Sequence, residues 1–200
     1  RAFPVFVFCG YVPWLFFSSS LINSCYSLYR SQALMEETYF PREIPVIAEV
    51  LAQLSVNLIT FVTFLGFFVF SSYLKMPVSA LVVLPVLLII QLIIVLAISL
   101  ALALCNVFFR DIAYFVDILL TIWFYLTPIF YPLSWVPERV QVLIRLNPVT
   151  AIIEAYRALF YDGLPVQTAS LLYPLGFGFV LLLLSWRVFA VYEKRILEEL

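Results

Sequence analysis

Three sets of polar side chains recur at helical spacing inside otherwise apolar stretches. One set comprises Glu49, Gln53 and Asn57; another comprises Ser20, Asn23, Ser24 and Ser27; the last comprises Asp117, Thr121, Phe124, Tyr125 and Pro128. Residues at this spacing share one helix face. Polar groups are costly against lipid, so each face should contact protein or water. Close helix packing and the lining of a wet passage both meet that requirement, and a glutamate near a helix end can also reach the membrane interface.

The third set pairs a carboxylate with aromatic rings, a combination suited to sugars. Rings stack on the apolar faces of pyranoses while polar groups bond to their hydroxyls. Tyr and Trp also serve as packing residues or as interface anchors, which is the alternative interpretation. The candidate passage residues on these faces are Ser20, Asn23, Ser27, Gln53, Asn57, Asp117, Thr121, Phe124 and Tyr125.

Several kinds of active site are missing from the sequence. The chain has no histidine and only three cysteines, spaced far apart, which disfavours zinc sites and disulfide frameworks. It has no GxxxxGK[ST] loop for ATP and neither a GxSxG nor an HExxH motif. A membrane-embedded transferase is therefore disfavoured, and no catalytic residue, metal site or cofactor of the chain's own is predicted. A gradient-driven transporter is the other alternative, although internal repeats are not evident.

The composition places these residues in a membrane. Of the 200 residues, 65% are hydrophobic and 12% charged, against about half and a quarter in soluble domains. Five stretches are long and apolar enough to span, namely Phe3–Leu28, Val46–Tyr73, Ala80–Leu104, Tyr114–Tyr131 and Leu171–Val191. We expect one all-α membrane domain over residues 1–200. Scattered basic residues and a net charge of −1 argue against nucleic acid as a partner.

The third stretch is the most lipid-like. Gln91 interrupts it and is expected to bond to a neighbouring helix, because an amide is costly against lipid. Small residues at Ala97, Ser99, Ala101 and Ala103 predict close contact with another helix.

Two polar connections separate the apolar stretches. The longer, Tyr29–Pro45, carries Arg30, Glu36, Glu37, Arg42 and Glu43; we call it the polar island. The shorter is the turn Asn106–Asp111, with Arg110 beside Asp111. The distribution of Lys and Arg gives a small preference for the island being cytoplasmic.

Pro132–Pro174 is too polar to span and too apolar for a free loop. Its pattern predicts two short amphipathic helices that re-enter the membrane or lie in its interface. The first starts at Pro137, and the second is capped by Asn147 with Pro148 in its first turn. Glu154 and Arg157, three residues apart, are expected to pair.

Five ordered motifs carry a family resemblance. GYVPWLFFSSSL, YFPREI, NVFFRDIAY, WFYLTPIFYPLSWVPE and LNPVTAIIEAYR cover nearly the whole chain in this order. Together they resemble the membrane subunit of type-2 ABC exporters for polysaccharides, the permeases for O-antigen and teichoic-acid-like polymers. A type-2 exporter of another substrate, such as a lipid or drug, is the alternative.

The resemblance implies a six-span permease in the bacterial inner membrane. It would work as a homodimer with two separate ATPase subunits that bind ATP and Mg²⁺, and would move an undecaprenyl-linked glycan along the dimer axis. An N-terminal amphipathic helix and the first span would be missing from this sequence, leaving five visible spans of six.

The resemblance also implies sites for individual residues. The segment that couples to the ATPase would contain Arg30, Glu36, Glu37, Tyr39, Phe40, Pro41, Arg42 and Glu43, with Asn106, Arg110 and Asp111 in a cytoplasmic turn. The re-entrant helices at the outer gate would contain Asn147, Pro148, Glu154, Tyr156 and Arg157. Trp123 and Tyr131 would join Phe124 and Tyr125 in the substrate channel, as the aromatic residues of the span that contacts the glycan. Glu36 and Glu37 depart from the basic residues common at this place in the family, which bears on the choice of ATPase partner.

Overall fold

The structure is a computed structural model that describes residues 3–37, 41–70 and 80–199, without the side chains of residues 36, 37, 67–70, 80, 81, 194 and 197–199. Within these ranges all regular elements are helical. The α-helices are α1 (Phe3–Cys25), α2 (Ser27–Arg30), α3 (Gln32–Glu37), α4 (Ile44–Phe70), α5 (Ala80–Phe108), α6 (Ile112–Leu126), α7 (Glu138–Arg145), α8 (Pro148–Arg157) and α9 (Thr168–Glu199). The all-α prediction is confirmed.

Four of the described helices are long and apolar enough to cross a membrane: α1, α4, α5 and α9. Helix α9 continues beyond Val191, the end of the last predicted stretch, to Glu199. The chain is therefore a multi-pass membrane protein. The second predicted span runs beyond Phe70 into residues outside the described ranges.

The predicted span Tyr114–Tyr131 differs from the structure. Helix α6 has 15 residues and ends at Leu126, after which Thr127 is extended with ψ 132°. Pro128 explains this early end, because a proline disfavours helical backbone at the residue before it. Pro128 and Tyr131 therefore lie outside the helix, and Pro128 does not share the helix face on which the spacing placed it.

Helix α1 lies at the centre of the bundle. It packs against α4, α5, α6 and α8, and its side chains Val12, Phe16, Phe17 and Leu21 are almost fully buried. Helix α9 packs along α5. Gly178 permits this approach, because a Cβ there would lie 2.7 Å from Cγ1 of Ile94.

Gln91 joins three helices inside the bundle. Its Nε2 donates to the carbonyl of Pro13 in α1 at 2.7 Å, and its Oε1 accepts from the hydroxyl of Tyr156 in α8 at 3.4 Å. The prediction that Gln91 bonds to a neighbouring helix is confirmed. Because a buried amide without partners is costly, these bonds favour one arrangement of α1, α5 and α8.

The two short amphipathic helices form where they were predicted. Helix α7 follows Pro137, and Asn147 caps α8 by accepting from the backbone N–H of Val149 at 3.0 Å, with Pro148 at the start of the helix. Helix α8 ends in a single π-helical turn, Ala158–Asp162, which Gly163 terminates with a φ of 64°. Left-handed backbone of this kind favours glycine.

Candidate functional site

A cavity of about 380 Å³ lies between α1 and α6; we call it the α1–α6 cavity. Its polar wall on α6 is Asp117 and Thr121, one helical turn apart, followed by Tyr125. The opposite wall on α1 contains Tyr11, Trp14 and Ser18. The cavity thus combines a carboxylate, hydroxyl groups and aromatic rings, which are the groups that a sugar ligand needs.

Aromatic rings form the floor of this cavity around Phe124. Its ring centroid lies 5.6 Å from Trp14, 5.4 Å from Phe130 and 5.5 Å from Tyr125. Tyr125 itself is 69% exposed. Edge and tilted contacts of this kind fix ring positions, so Tyr125 projects from a rigid aromatic base.

Trp123 and Tyr131 are placed differently from the other predicted aromatic residues. The Trp123 ring packs edge-on against Phe17 of α1, with centroids 5.1 Å apart. The Tyr131 hydroxyl donates to the carbonyls of Tyr125 and Leu126 at 3.2 and 3.3 Å. Both side chains therefore have structural contacts within the protomer, and neither lines the α1–α6 cavity.

The serine-rich face of α1 is divided between packing and partial exposure. Ser20, Ser24 and Ser27 are buried among helices, and Asn23 is half-buried. Asn23 donates to the carbonyl of Ser19 at 2.9 Å, and Ser27 to that of Ser24 at 2.8 Å. This placement supports the packing alternative for the serines.

The polar face of α4 forms a short chain of contacts. Gln53 donates to the carboxylate of Glu49 at 3.0 Å, and that carboxylate lies 3.7 Å from the guanidinium of Arg30. Asn57, one turn further, is buried. Glu49 therefore connects the polar island to α4 instead of extending alone to the interface.

The polar island also contacts the end of α9. Arg42 donates to the backbone carbonyl of Glu193, and Pro41 is exposed while Glu43 is half-buried. Tyr39 and Phe40 lie outside the described residues, as do the side chains of Glu36 and Glu37. Through Arg30 and Arg42 the island is joined to two different spanning helices.

Asn106 organises the turn between α5 and α6. Its Nδ2 donates to the carbonyl of Cys25 at 2.8 Å, and its Oδ1 accepts from the N–H of Ala113 at 3.3 Å. Arg110 and Asp111 are exposed. Asn106 is thus a buried structural residue, while its two charged neighbours can meet solvent or a partner.

Arg157 is buried at 5% exposure. Its Nη2 donates to the carbonyl of Ile129 at 2.6 Å, and the guanidinium carbon lies 3.8 Å from the ring centroid of Phe6. Burial lowers the pKa of Arg157 to about 10. The predicted Glu154–Arg157 ion pair is wrong, because Arg157 points inward to the loop after α6 and no Glu154–Arg157 pair within 4.0 Å exists among the described residues.

Glu154 has a separate environment between α8 and α9. It is half-buried beside Arg145, and burial raises its pKa despite the opposing effect of Arg157 and Arg145. Tyr156, on the inner side of the same helix, is fully buried. The five predicted gate residues therefore divide into the cap formed by Asn147 and Pro148, two inward residues, and Glu154 facing a cavity.

Sequence reasoning missed the α1 half of the candidate site. Tyr11, Trp14 and Ser18 lie on the α1 side of the α1–α6 cavity, at intervals of three and four residues. That spacing marks one helix face and could have identified them. Among aromatic and serine residues that also pack the core, however, the sequence does not show which face meets α6.

The sequence is similar to known membrane transport proteins over most of its length. Residues 4–161 match the family described as ABC-2 type transporter. The O-antigen export system permease protein RfbA of Myxococcus xanthus is 32% identical over 197 residues, covering 96% of this chain and 73% of that protein. The protein of the same name from Klebsiella pneumoniae is 30% identical, covering 98% of this chain and 75% of its own length. With a multi-pass helical bundle and a family match over most of its length, this chain belongs to the ABC-2 type transporter family of membrane proteins.

Proposed function

We propose that this chain is the permease subunit of an ABC transporter that exports a lipid-linked polysaccharide of the O-antigen class across the bacterial inner membrane. The names of two relatives at 30% identity or more support this substrate. Family membership supports a transport component that works with a separate ATPase. ATP and Mg²⁺ would then bind on that partner.

The observation that carries the proposal is the polar and aromatic α1–α6 cavity on an otherwise apolar face. Asp117 and Thr121 are exposed there, among exposed apolar residues such as Ile118 and Ile122. A carboxylate on a lipid-facing surface is costly, and ionisable residues in membranes commonly mark substrate paths. The α1–α6 cavity is therefore assigned to the glycan path.

A second copy of the chain would complete this path. The exposed surface of α6 also includes Tyr114, Phe115, Ile118 and Leu119, each of which is 57% exposed or more. In a homodimer such a face can cover its apolar residues while Asp117 lines a shared passage. In this arrangement α6 would cross the membrane together with the four longer helices α1, α4, α5 and α9.

The polar island is the proposed site of coupling to two ATPase subunits. Arg42 joins it to α9 through the Glu193 carbonyl, and Arg30 joins it to α4 through Glu49. Movement imposed on the island would therefore reach two spanning helices. The acidic residues Glu36 and Glu37 would meet a basic ATPase surface, since charge complementarity selects partners.

A matched pair of substitutions tests the glycan path. Tyr125→Ala should reduce export of the polymer at unchanged amounts of assembled transporter, because Tyr125 is exposed at the α1–α6 cavity. Trp123→Ala should instead lower the amount of folded protein, because that ring packs on Phe17. Export is measured as polymer at the cell surface, and assembly by co-purification with the ATPase. Normal export by the Tyr125 variant would remove this cavity from the glycan path.

A further inference from the structure

A second cavity, of about 500 Å³, lies between α8, the segment after Gly163 and the start of α9; we call it the α8–α9 cavity. It is separate from the α1–α6 cavity and shares none of its lining residues. Its polar lining includes Arg145, Thr150, Glu154, Gln167 and Ser170. Nothing in the proposed glycan path uses these side chains.

One cationic and one anionic side chain line the cavity: Arg145, which is exposed, and Glu154, which is half-buried. Arg145 and Glu154 are close enough to influence each other electrostatically, yet neither forms an ion pair or side-chain hydrogen bond within the described part of the chain. Thr150 is 1% exposed, and its hydroxyl has no hydrogen-bond partner among the described residues. Buried polar groups are normally paired. The buried Thr150 and the half-buried Glu154 lack partners within the described ranges, beside the exposed guanidinium of Arg145, so the three groups indicate a ligand with both charges and hydrogen-bonding atoms.

A shallow apolar depression on the surface of α9 itself continues from this cavity. Its lining is Tyr173, Gly176, Phe177, Val180, Leu181 and Leu184; we call it the α9 groove. Tyr173 belongs to both the cavity and the groove. From Tyr173 to Leu184 a helix advances about 16 Å at about 1.5 Å per residue, close to half of the roughly 30 Å hydrocarbon core.

Helix geometry places the polar end of this site at the α7–α8 side of the membrane. The Tyr173 hydroxyl donates to the carbonyl of Leu146 at 2.5 Å, which holds the start of α9 beside the two short helices. The α9 groove then runs from that level into the apolar part of α9. The polar cavity therefore lies at the membrane level of a lipid headgroup, and the apolar α9 groove lies at the level of its acyl chain.

The pair of charges selects among lipid classes. A phosphodiester fits Arg145, whose guanidinium binds phosphate oxygens with two parallel hydrogen bonds. A primary ammonium fits the carboxylate of Glu154. An anionic headgroup would satisfy Arg145 but leave Glu154 unpaired beside a negative charge, and a glycan alone would leave the α9 groove empty.

We propose that the α8–α9 cavity and the α9 groove together bind a phospholipid with a phosphoethanolamine headgroup from the leaflet on the α7–α8 side. Arg145 contacts the phosphate, Glu154 accepts from the ammonium, and one acyl chain lies along Gly176 and Val180. Bound there, the lipid links α8 to α9 beside the proposed gate helices.

Native mass spectrometry of the complete permease in detergent tests this assignment. Phosphatidylethanolamine and phosphatidylglycerol with identical acyl chains are titrated against the same preparation. The wild type should bind phosphatidylethanolamine about tenfold more tightly, and Glu154→Gln should abolish that preference, because one charge-assisted hydrogen bond changes affinity by about this factor. Arg145→Gln should weaken binding of both lipids. Glycerophosphoethanolamine, which lacks acyl chains, should compete poorly.

A substitution in the α9 groove provides an independent test with a matched control. Gly176→Leu should weaken the binding of both lipids without changing the preference. A Cβ at this position has no described atom of another element within 4 Å, so the new side chain extends into the α9 groove. Gly66→Leu on α4 is the control, because its surroundings are equally open. Retained preference in Glu154→Gln would overturn the headgroup assignment. Equal effects of the two glycine variants, or cross-linking between copies through cysteine at position 176, would overturn the groove assignment.

Discussion

Glu154 shows how a single residue outside the spans balances burial against charge. Burial disfavours its carboxylate form more strongly than Arg157 and Arg145 favour it, so its pKa is raised in the folded protein. At neutral pH the folded chain therefore carries a charge that would be better solvated after unfolding. The cost of that charge is consistent with a ligand-binding residue rather than a stabilising one.

The raised pKa of Glu154 predicts a pH-dependent effect of Glu154→Gln. A folded-state pKa above the unfolded value means that the contribution to stability is present below the unfolded pKa of about 4.5 and is lost as pH rises through the folded value. The glutamine variant should therefore unfold at a higher temperature than wild type at neutral pH, with a difference that shrinks as the pH falls below the unfolded pKa. The measurement is thermal unfolding in lipid-free detergent. A difference in unfolding temperature of the same size at neutral pH and at a pH below the unfolded pKa would contradict this account.

For single residues, the sequence predicted which groups need hydrogen-bond partners better than it predicted where a side chain points. Asn147 as a helix cap and Gln91 as an interhelical bond donor followed from groups that must find partners nearby. The sequence did not show that the side chains of Trp123 and Arg157 point into the protein, because their orientation depends on which element packs opposite them. Spacing alone could not distinguish the inward Trp123 from the exposed Tyr125.

Among the elements, α5 and α9 pack against each other with little space between them. Gly178 has no room for a side chain, because a Cβ there would lie 2.7 Å from Ile94 and 3.2 Å from Ile93. Of the four small residues of α5 predicted to allow close helix contact, Ala97, Ser99 and Ala103 are completely buried, whereas Ala101 is half-buried. Van der Waals packing of this kind is a main source of helix association in membranes.

Gly178→Leu should separate α5 from α9. Overpacking typically costs about 1–3 kcal/mol, so we expect a lower unfolding temperature and less folded protein after extraction. Gly66→Leu should have little effect, because a side chain there meets open space. Thermal unfolding of the two variants side by side checks this. Equal stability of the two would show that the α5–α9 contact tolerates a larger side chain.

Element boundaries followed from the sequence where a local signal existed. Pro137 lies directly before α7, and Pro148 is the first residue of α8, as their positions in the sequence predicted. Pro128 was the corresponding stop signal for α6, but the apolar run continued past it and concealed the end at Leu126. Hydropathy reports burial or lipid contact, not backbone conformation, so an apolar loop resembles a span.

For the whole molecule, the polar island is the segment through which, in our proposal, conformational changes of the ATPase reach the spanning helices. Its attachments include Arg42 to α9, Arg30 to α4, and the Tyr29 hydroxyl to carbonyls of Asn106 and Val107 in α5. All are polar contacts near the ends of long helices. The family match and the spanning helices could be anticipated from motifs and hydropathy. The attachment of the island to these helices could not be anticipated from the sequence, because the contacts join residues that are distant in sequence or lie in separate elements.

Charge reversal at Glu36 and Glu37 tests the coupling proposal. Lysine at both positions should reduce co-purification with the ATPase or the ATP hydrolysis coupled to it, because complementary charges would become repulsive. Arg42→Ala serves as the companion variant. It should retain ATPase binding but lower coupled hydrolysis, since it separates the island from α9. Unchanged binding and hydrolysis in the double lysine variant would remove these residues from the interface.

The most direct measurement of the central claim is the location of the glycan in cells of the native host that lack this chain. Without the permease, lipid-linked polysaccharide should accumulate on the cytoplasmic side and polymer should be absent from the cell surface. Wild-type permease should restore surface polymer, whereas the Tyr125→Ala variant should restore much less. Normal surface polymer in the cells lacking the chain would contradict its assignment as the polysaccharide permease.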